Sequence, residues 1–182
     1  AVTPIGRISR GDLGLWKDEQ IAPLARIADL ALAQGCVPVL QLAHAGRKAS
    51  VGLGWEAQRT LSADEGGWVP VAPSSLAFGD GYAVPHELTE ADIGEVVACF
   101  MAAAERARRA GFLAVEIHGA HGYLLHQFLS PLTNRRTDAY GGSFENRTRL
   151  LREVVSAVRT VWPDHLPLLV RLRDWASHGE FL

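Results

Sequence analysis

An apolar run, Leu113-Ala114-Val115-Glu116-Ile117, delivers the chain directly into HGAHGYLLHQFLSPLTNRRTDAYGGSFENRTR at 118–149. A strand that ends in histidines and opens into a long polar loop has the layout of the carboxyl edge of a parallel α/β barrel, where the loops after the strands carry the chemistry. Period-2 alternation puts Ala114, Glu116 and His118 on one face and Val115 and Ile117 on the other, so one face finishes in an imidazole. His121 and Tyr123 follow closely, and tight turning at Gly119 and Gly122 is what brings the three rings around one small ligand atom. Imidazole N–H groups donate to a carbonyl or nitro oxygen, and a phenol can supply a proton. Two alternatives stay open on these residues. The histidines can simply brace the loop, or i and i+3 imidazoles can share a zinc ion, although no Cys or third ligand of typical spacing is evident.

Two more segments end the same way. Val37 to Leu42 reads as a buried strand whose alternate face is Val37, Val39 and Gln41, and Pro167 to Leu172 reads as a strand with Leu169 and Arg171 on one face. Helical spacing predicts helices from about Lys17 to Gln34, from a Thr89 cap to a stop at Gly111, from Tyr123 to Leu129, and from Phe144 to Val161. The arginines at 106, 108 and 109 suit the negative end of the second of these. Strands separated by helices argue for parallel βα units, and right-handed crossovers carry Gln41, His118 and Arg171 to one rim. Their plain alternatives are a loop-bracing amide for Gln41 and a salt bridge to Glu116 for Arg171.

Residues 43–88 form a long polar segment rich in Gly, Pro, Ser and Trp. Structureless loops of that length are uncommon unless functional, which predicts a lid or small insertion over the barrel mouth. Trp55, Trp68 and Val71-Ala72-Pro73-Ser74 are expected to fold it into a cap, with Arg47 and Lys48 as solvated charges at the lip. Gly141-Gly142-Ser143 before a helix is a possible phosphate site, and a simple turn is the better expectation.

At 182 residues and 48% hydrophobic composition the chain can build a core, but a complete eight-stranded barrel takes about 250 residues. The expected fold is therefore α/β, a partial (β/α)8 barrel of three central βα units in one domain, 1–182, with 43–88 as its cap. The start at Ala1 and the stop at Leu182 just after an apolar strand read as those of an internal piece. A net charge of −2 with scattered basic residues gives no footprint for nucleic acid or an anionic membrane. No long apolar run predicts a membrane span. Cys36 and Cys99 are expected as buried core thiols rather than a disulfide, in keeping with a reducing cytoplasm.

The histidine segment, together with Gln-Leu-Ala-His-Ala-Gly-Arg-Lys at 41–48, resembles the Old Yellow Enzyme family of FMN-dependent ene-reductases, and most of all its bacterial, thermophilic-like branch. The likeness runs from about Thr3 to Arg171 and covers the middle portion of that family's barrel. It implies FMN as cofactor, NADPH or NADH as reductant, a small activated alkene as substrate, and a homo-oligomeric parent enzyme. By resemblance His118 and His121 hold the activating oxygen and Tyr123 is the proton donor, with Lys48 also at the substrate. Gln41 would serve the flavin pyrimidine, Arg171 would stand beside the flavin N1–C2 edge, and His118 would also touch the flavin. The FMN phosphate of the resembled enzymes lies at loops after later strands, outside this chain. Past Arg171 the family pattern continues differently from Arg173-Asp174-Trp175-Ala176-Ser177-His178, where the loop is shorter. A dienoyl-CoA-reductase-like flavoenzyme, with its iron–sulfur cysteines beyond this chain, is a second expectation, and a catalytically silent fragment acting through assembly with another chain is a third.

Overall fold

The computed structural model describes residues 1–56 and 58–173. After an irregular entry, a 3-10 turn over Asp18–Gln20 leads into α1 (Ile21–Ala33). The predicted start at Lys17 comes late because Pro23 has no N–H to give and must sit in the first turn. Strand β1 (Val39–Leu42) follows. In the cap segment lie 3-10 turns at Gly46–Lys48 and Ala63–Glu65 and the short strands β2 (Val71–Ala72) and β3 (His86–Glu87). Then come α2 (Glu90–Arg109), β4 (Ala114–Gly119), α3 (Leu124–Leu129), α4 (Phe144–Val161) and β5 (Leu168–Leu172). Among the described residues no helix is long and apolar enough to cross a membrane.

The main sheet is parallel, in the order β1-β4-β5, with Gln41 opposite Glu116 and His118 opposite Arg171. Parallel strands need long crossover connections, which the helices supply here, and parallel pairing sets the strands' carboxyl ends along one edge. β2 and β3 form a separate parallel pair.

Local chemistry explains the helix boundaries. Thr89 Oγ1 accepts from Asp92 N–H at 3.1 Å and Asp92 Oδ2 accepts from Thr89 N–H at 2.8 Å, a reciprocal cap on α2. Ser143 Oγ accepts from Asn146 N–H at 3.2 Å and caps α4, which makes Gly141-Gly142-Ser143 a helix entry. The last-turn arginines of α2 are committed as well. Arg106 and Arg109 each pair with Asp18 at 2.8 Å, and Arg108 pairs with Glu105.

The core lies between the sheet and its helices. Ile93, Val96 and Phe100 of α2 pack with Leu150, Val154 and Val158 of α4 against Val115 and Ile117 of β4. Trp162, buried at the end of α4, donates its indole N–H to Pro167 O at 3.0 Å and ties that helix to the approach of β5.

Three expectations change. Val37 and Val39 are 65% and 48% exposed rather than buried, because none of the described residues packs over this face, whereas Leu42 on the opposite face of β1 is 2% exposed. Cys36 is exposed because it lies in the turn after Gly35 rather than in the strand. Trp55 is 83% exposed and does not help fold the cap, whereas Trp68 donates its indole N–H to Ile5 O at 2.9 Å and residues 71–74 are buried. Residues Asp174 to His178, where the shortened loop is expected, lie outside the described residues.

Candidate active site

β4 ends at the edge of the sheet with His118, 4% exposed, its Nδ1 buried and without a hydrogen-bond partner. Burial first, then the neighbouring His121 and Arg171, push its pKa down to about 4, against an opposing pull from Glu116. The ring is therefore neutral near pH 7, with one N–H to donate.

The chain turns immediately after β4. Tyr123 N–H donates to Ala120 O at 3.2 Å, and the two central residues, His121 and Gly122, have φ of 57° and 70°. Positive φ at both positions is the pattern of a type I′ turn. The turn is thus made by His121 and Gly122, whereas Gly119, the other expected hinge, is the last residue of the strand.

This geometry assembles the three rings. The His118 and His121 centroids are 4.9 Å apart, His118 and Tyr123 5.3 Å, and His121 and Tyr123 6.4 Å, each pair near edge-to-face. Arg171 Nη2 lies 3.3 Å from His121 Nε2. A guanidinium has only donors, so His121 Nε2 is the acceptor in this contact and its proton sits on Nδ1. Burial raises the pKa of Tyr123, which stays a protonated phenol at neutral pH.

Lys48 reaches the same place from the loop after β1. Its Nζ donates to His121 O at 3.1 Å and stands 5.4 Å from the Tyr123 centroid and 4.4 Å from the Phe78 centroid. Burial, and then Arg47, lower its pKa. Arg47 is not the solvated lip residue expected of it. It is buried, and its Nη1 donates to Leu76 O at 3.3 Å and Ala77 O at 3.1 Å, which pins the cap beside Phe78.

Gln41 lies on the adjacent strand, its amide donating to Glu116 Oε1 at 2.5 Å. That contact replaces the Arg171–Glu116 salt bridge considered from the sequence, because register places Gln41 opposite Glu116 and Arg171 opposite His118. The sheet therefore brings Gln41, His118, His121, Tyr123, Lys48 and Arg171 along one edge.

Sequence patterns missed four residues here: His44, Phe78, His126 and Gln127. His44 is buried, which drives its pKa down to about 3, and its Nδ1 accepts from Gly46 N–H at 3.1 Å. His126 Nδ1 accepts from Gly122 N–H at 2.6 Å, and burial is the first cause of its pKa of about 4. A His-Gln pair between apolar Leu125 and Phe128 on a short helix was the available signal. Among the described residues no group of three or more His, Cys, Asp or Glu is placed to hold a metal ion.

The sequence profile of the NADH:flavin oxidoreductase / NADH oxidase family matches residues 1–176. The chain belongs to this family. Relatives include an NADH:flavin oxidoreductase of Gibberella zeae, 51% identical over 98% of this chain and 45% of the relative. An NADPH dehydrogenase of Clostridium acetobutylicum is 48% identical over 94% of the chain and 46% of the relative. Among solved structures, morphinone reductase superposes with a TM-score of 0.80 at 36% identity, over 94% of this chain and 47% of that one. A second structure of that enzyme, in complex with tetrahydroNAD, gives a TM-score of 0.79 at 37% identity, over 94% and 48% of the two chains. The family match agrees with the resemblance carried by the histidine segment, and the fold is that of part of a (β/α)8 barrel. The chain spans about half the length of the curated relatives it matches.

Proposed function

We propose that the protein carrying this chain is an FMN-dependent oxidoreductase that uses NADPH or NADH to reduce the C=C bond of a small activated alkene, an enone or nitroalkene, in the cytoplasm and as a homo-oligomer. The observation that carries this reading is the convergence of His118, His121 and Tyr123 within 4.9 to 6.4 Å at the sheet edge, beside Arg171.

The residues present fit a flavin. Gln41 has one amide N–H on Glu116 and keeps its carbonyl and second N–H for a pyrimidine edge. His118 has a buried nitrogen without a partner, and Arg171 has no carboxylate against it among the described residues. These three would hold the ring. When bound, FMN would supply the hydride chemistry that links the nicotinamide to the β-carbon of the alkene.

The rest is the work of this chain. Neutral His118 and His121 donate to the activating oxygen and draw electron density from the β-carbon. Tyr123, kept protonated by burial, delivers its proton to the α-carbon. Arg171 stabilises negative charge at the pyrimidine edge through charge-assisted hydrogen bonds. Lys48, from the other loop, borders the substrate. The test is anaerobic: the flavin-loaded protein is reduced with NADPH and mixed with cyclohexenone. Reoxidation of the flavin at a rate that saturates with enone is expected, and a rate no faster than without enone would remove the alkene from the proposal.

A further inference from the structure

Lys48 and Tyr123 stand on different loops, the first after β1 and the second after β4, and their separation is held by groups that do not themselves face the ring cluster. One stitch is backbone, from Leu124 N–H to His44 O at 2.9 Å. Another is a single side chain. Gln127 is 1% exposed, and its Oε1 accepts from Arg47 N–H at 3.2 Å while its Nε2 donates to Ala45 O at 3.2 Å and Gly122 O at 2.7 Å. Only a carboxamide offers an acceptor on one arm and two donors on the other, so one amide orientation satisfies all three backbone groups. An apolar residue of the same size would leave them buried and unpaired.

The neighbours confirm that the fit is close. Gly46 has φ +62°, and a Cβ there would lie 2.4 Å from Gln127 Oε1, so the amide rests on bare backbone. On the other side Gly122 is gripped at both polar ends, its carbonyl by Gln127 and its N–H by His126 Nδ1. Gly122 is the residue before Tyr123, and Arg47 is the residue before Lys48.

We propose that Gln127 is a positioning residue: its carboxamide, bonded to Arg47 N–H 80 residues away in sequence, sets Lys48 against His121 and Tyr123 and so fixes the direction in which the phenol delivers its proton. The proposal rests on the alkene-reduction reading of the same site. Misplacement of an acid by an ångström costs as much as roughly 10²-fold in rate.

Gln127→Glu preserves size and the acceptor for Arg47 N–H but turns the donor edge into an acceptor facing two carbonyls. In the flavin-loaded protein at about pH 8, this variant is expected to slow reoxidation by cyclohexenone by roughly 10²-fold, with flavin reduction by NADPH within about twofold of wild type. Burial and the facing carbonyls raise the carboxyl pKa, so the defect should fade as pH falls and the protonated acid donates to Gly122 O. Equal slowing of both half-reactions, a pH-independent loss, or full activity would overturn the proposal. Gln127→Met removes all three bonds without charge; faster hydrogen exchange at the Arg47 amide, read without flavin, is expected, and unchanged exchange would overturn the stitch. If neither variant folds, Gln127 is structural and the proposal falls. Tyr123→Phe in the same assay separates two failures. Should it reoxidise as fast as wild type, the proton-donor reading fails; should it be slow while Gln127→Glu is not, only the positioning role fails.

Discussion

At the residue scale the site is governed by protonation. Tyr123→Phe removes the proton source and leaves the ring, so flavin reoxidation by an enone should slow by roughly 10²–10⁴-fold with flavin reduction by NADPH nearly intact; stopped-flow half-reactions resolve the two. His118→Ala and His121→Ala should each weaken binding of a phenolate-type ligand, with flavin fully retained in His121→Ala and held less tightly in His118→Ala, read from the long-wavelength band in a phenol titration, and unchanged affinity in both would sink the oxygen-binding role. The imidazoles also set a pH dependence of stability. His44, His118 and His126 have folded pKa values of about 3, about 4 and about 4, below the usual 6.5. The unfolded chain therefore binds more protons between those values and 6.5, and stability present above pH 6.5 is lost as pH falls through this window, on the order of 1 to 2 kcal/mol for each ring by pH 5. Urea midpoints at pH 7.5 and 5 measure it, and His44→Gln should flatten the slope. His118, His121 and Tyr123 could be picked out because they end a strand or follow it within a turn. Gln127 and His44 could not, since their partners are backbone groups that only the folded loops supply.

At the element scale, boundaries with a chemical signature were legible and faces were not. Phe144 to Val161 was readable end to end because Ser143 offers a cap and Leu150, Val154 and Val158 repeat at one-turn spacing. α2 was equally plain from Thr89 and Asp92. These two act as a reciprocal pair, so Thr89→Ala should cost about 1 kcal/mol in urea unfolding, and adding Asp92→Ala should cost less than a second independent amount because both bonds belong to one box. An apolar run such as Val37-Pro38-Val39-Leu40 announces a strand without saying which neighbours it has. The exposure of Val39 depends on which face of β1 is covered among the described residues, a property of the whole arrangement. The cap shows the same division. Its length led to the expectation of a cover, but the use of Arg47 to pin Leu76 and Ala77 depends on a contact across 29 and 30 residues.

For the whole molecule the decisive feature is what the sheet leaves uncovered. Among the described residues β1 and β5 are its two outer strands, and Ile27, Leu30, Val37, Val39, Leu169 and Leu172 are all exposed. Open strand edges beside apolar surface favour association. Residues 1–182 expressed alone should therefore run above monomer size on size-exclusion chromatography and purify without flavin absorbance. A monodisperse yellow monomer would contradict this. The α/β class and the parallel order could be anticipated from the alternation of strands and helices. Cys36 makes the association observable. It is exposed in the turn at the amino end of β1, directly before Val37, whereas Cys99 is half-buried with its thiol pKa raised by burial and is the slower of the two to alkylate. The site is at the opposite end of that strand, so a pyrene maleimide placed at Cys36 gives a fluorophore that leaves the rings untouched. Two such edges meeting would bring the dyes together, and excimer emission would report the encounter as it happens.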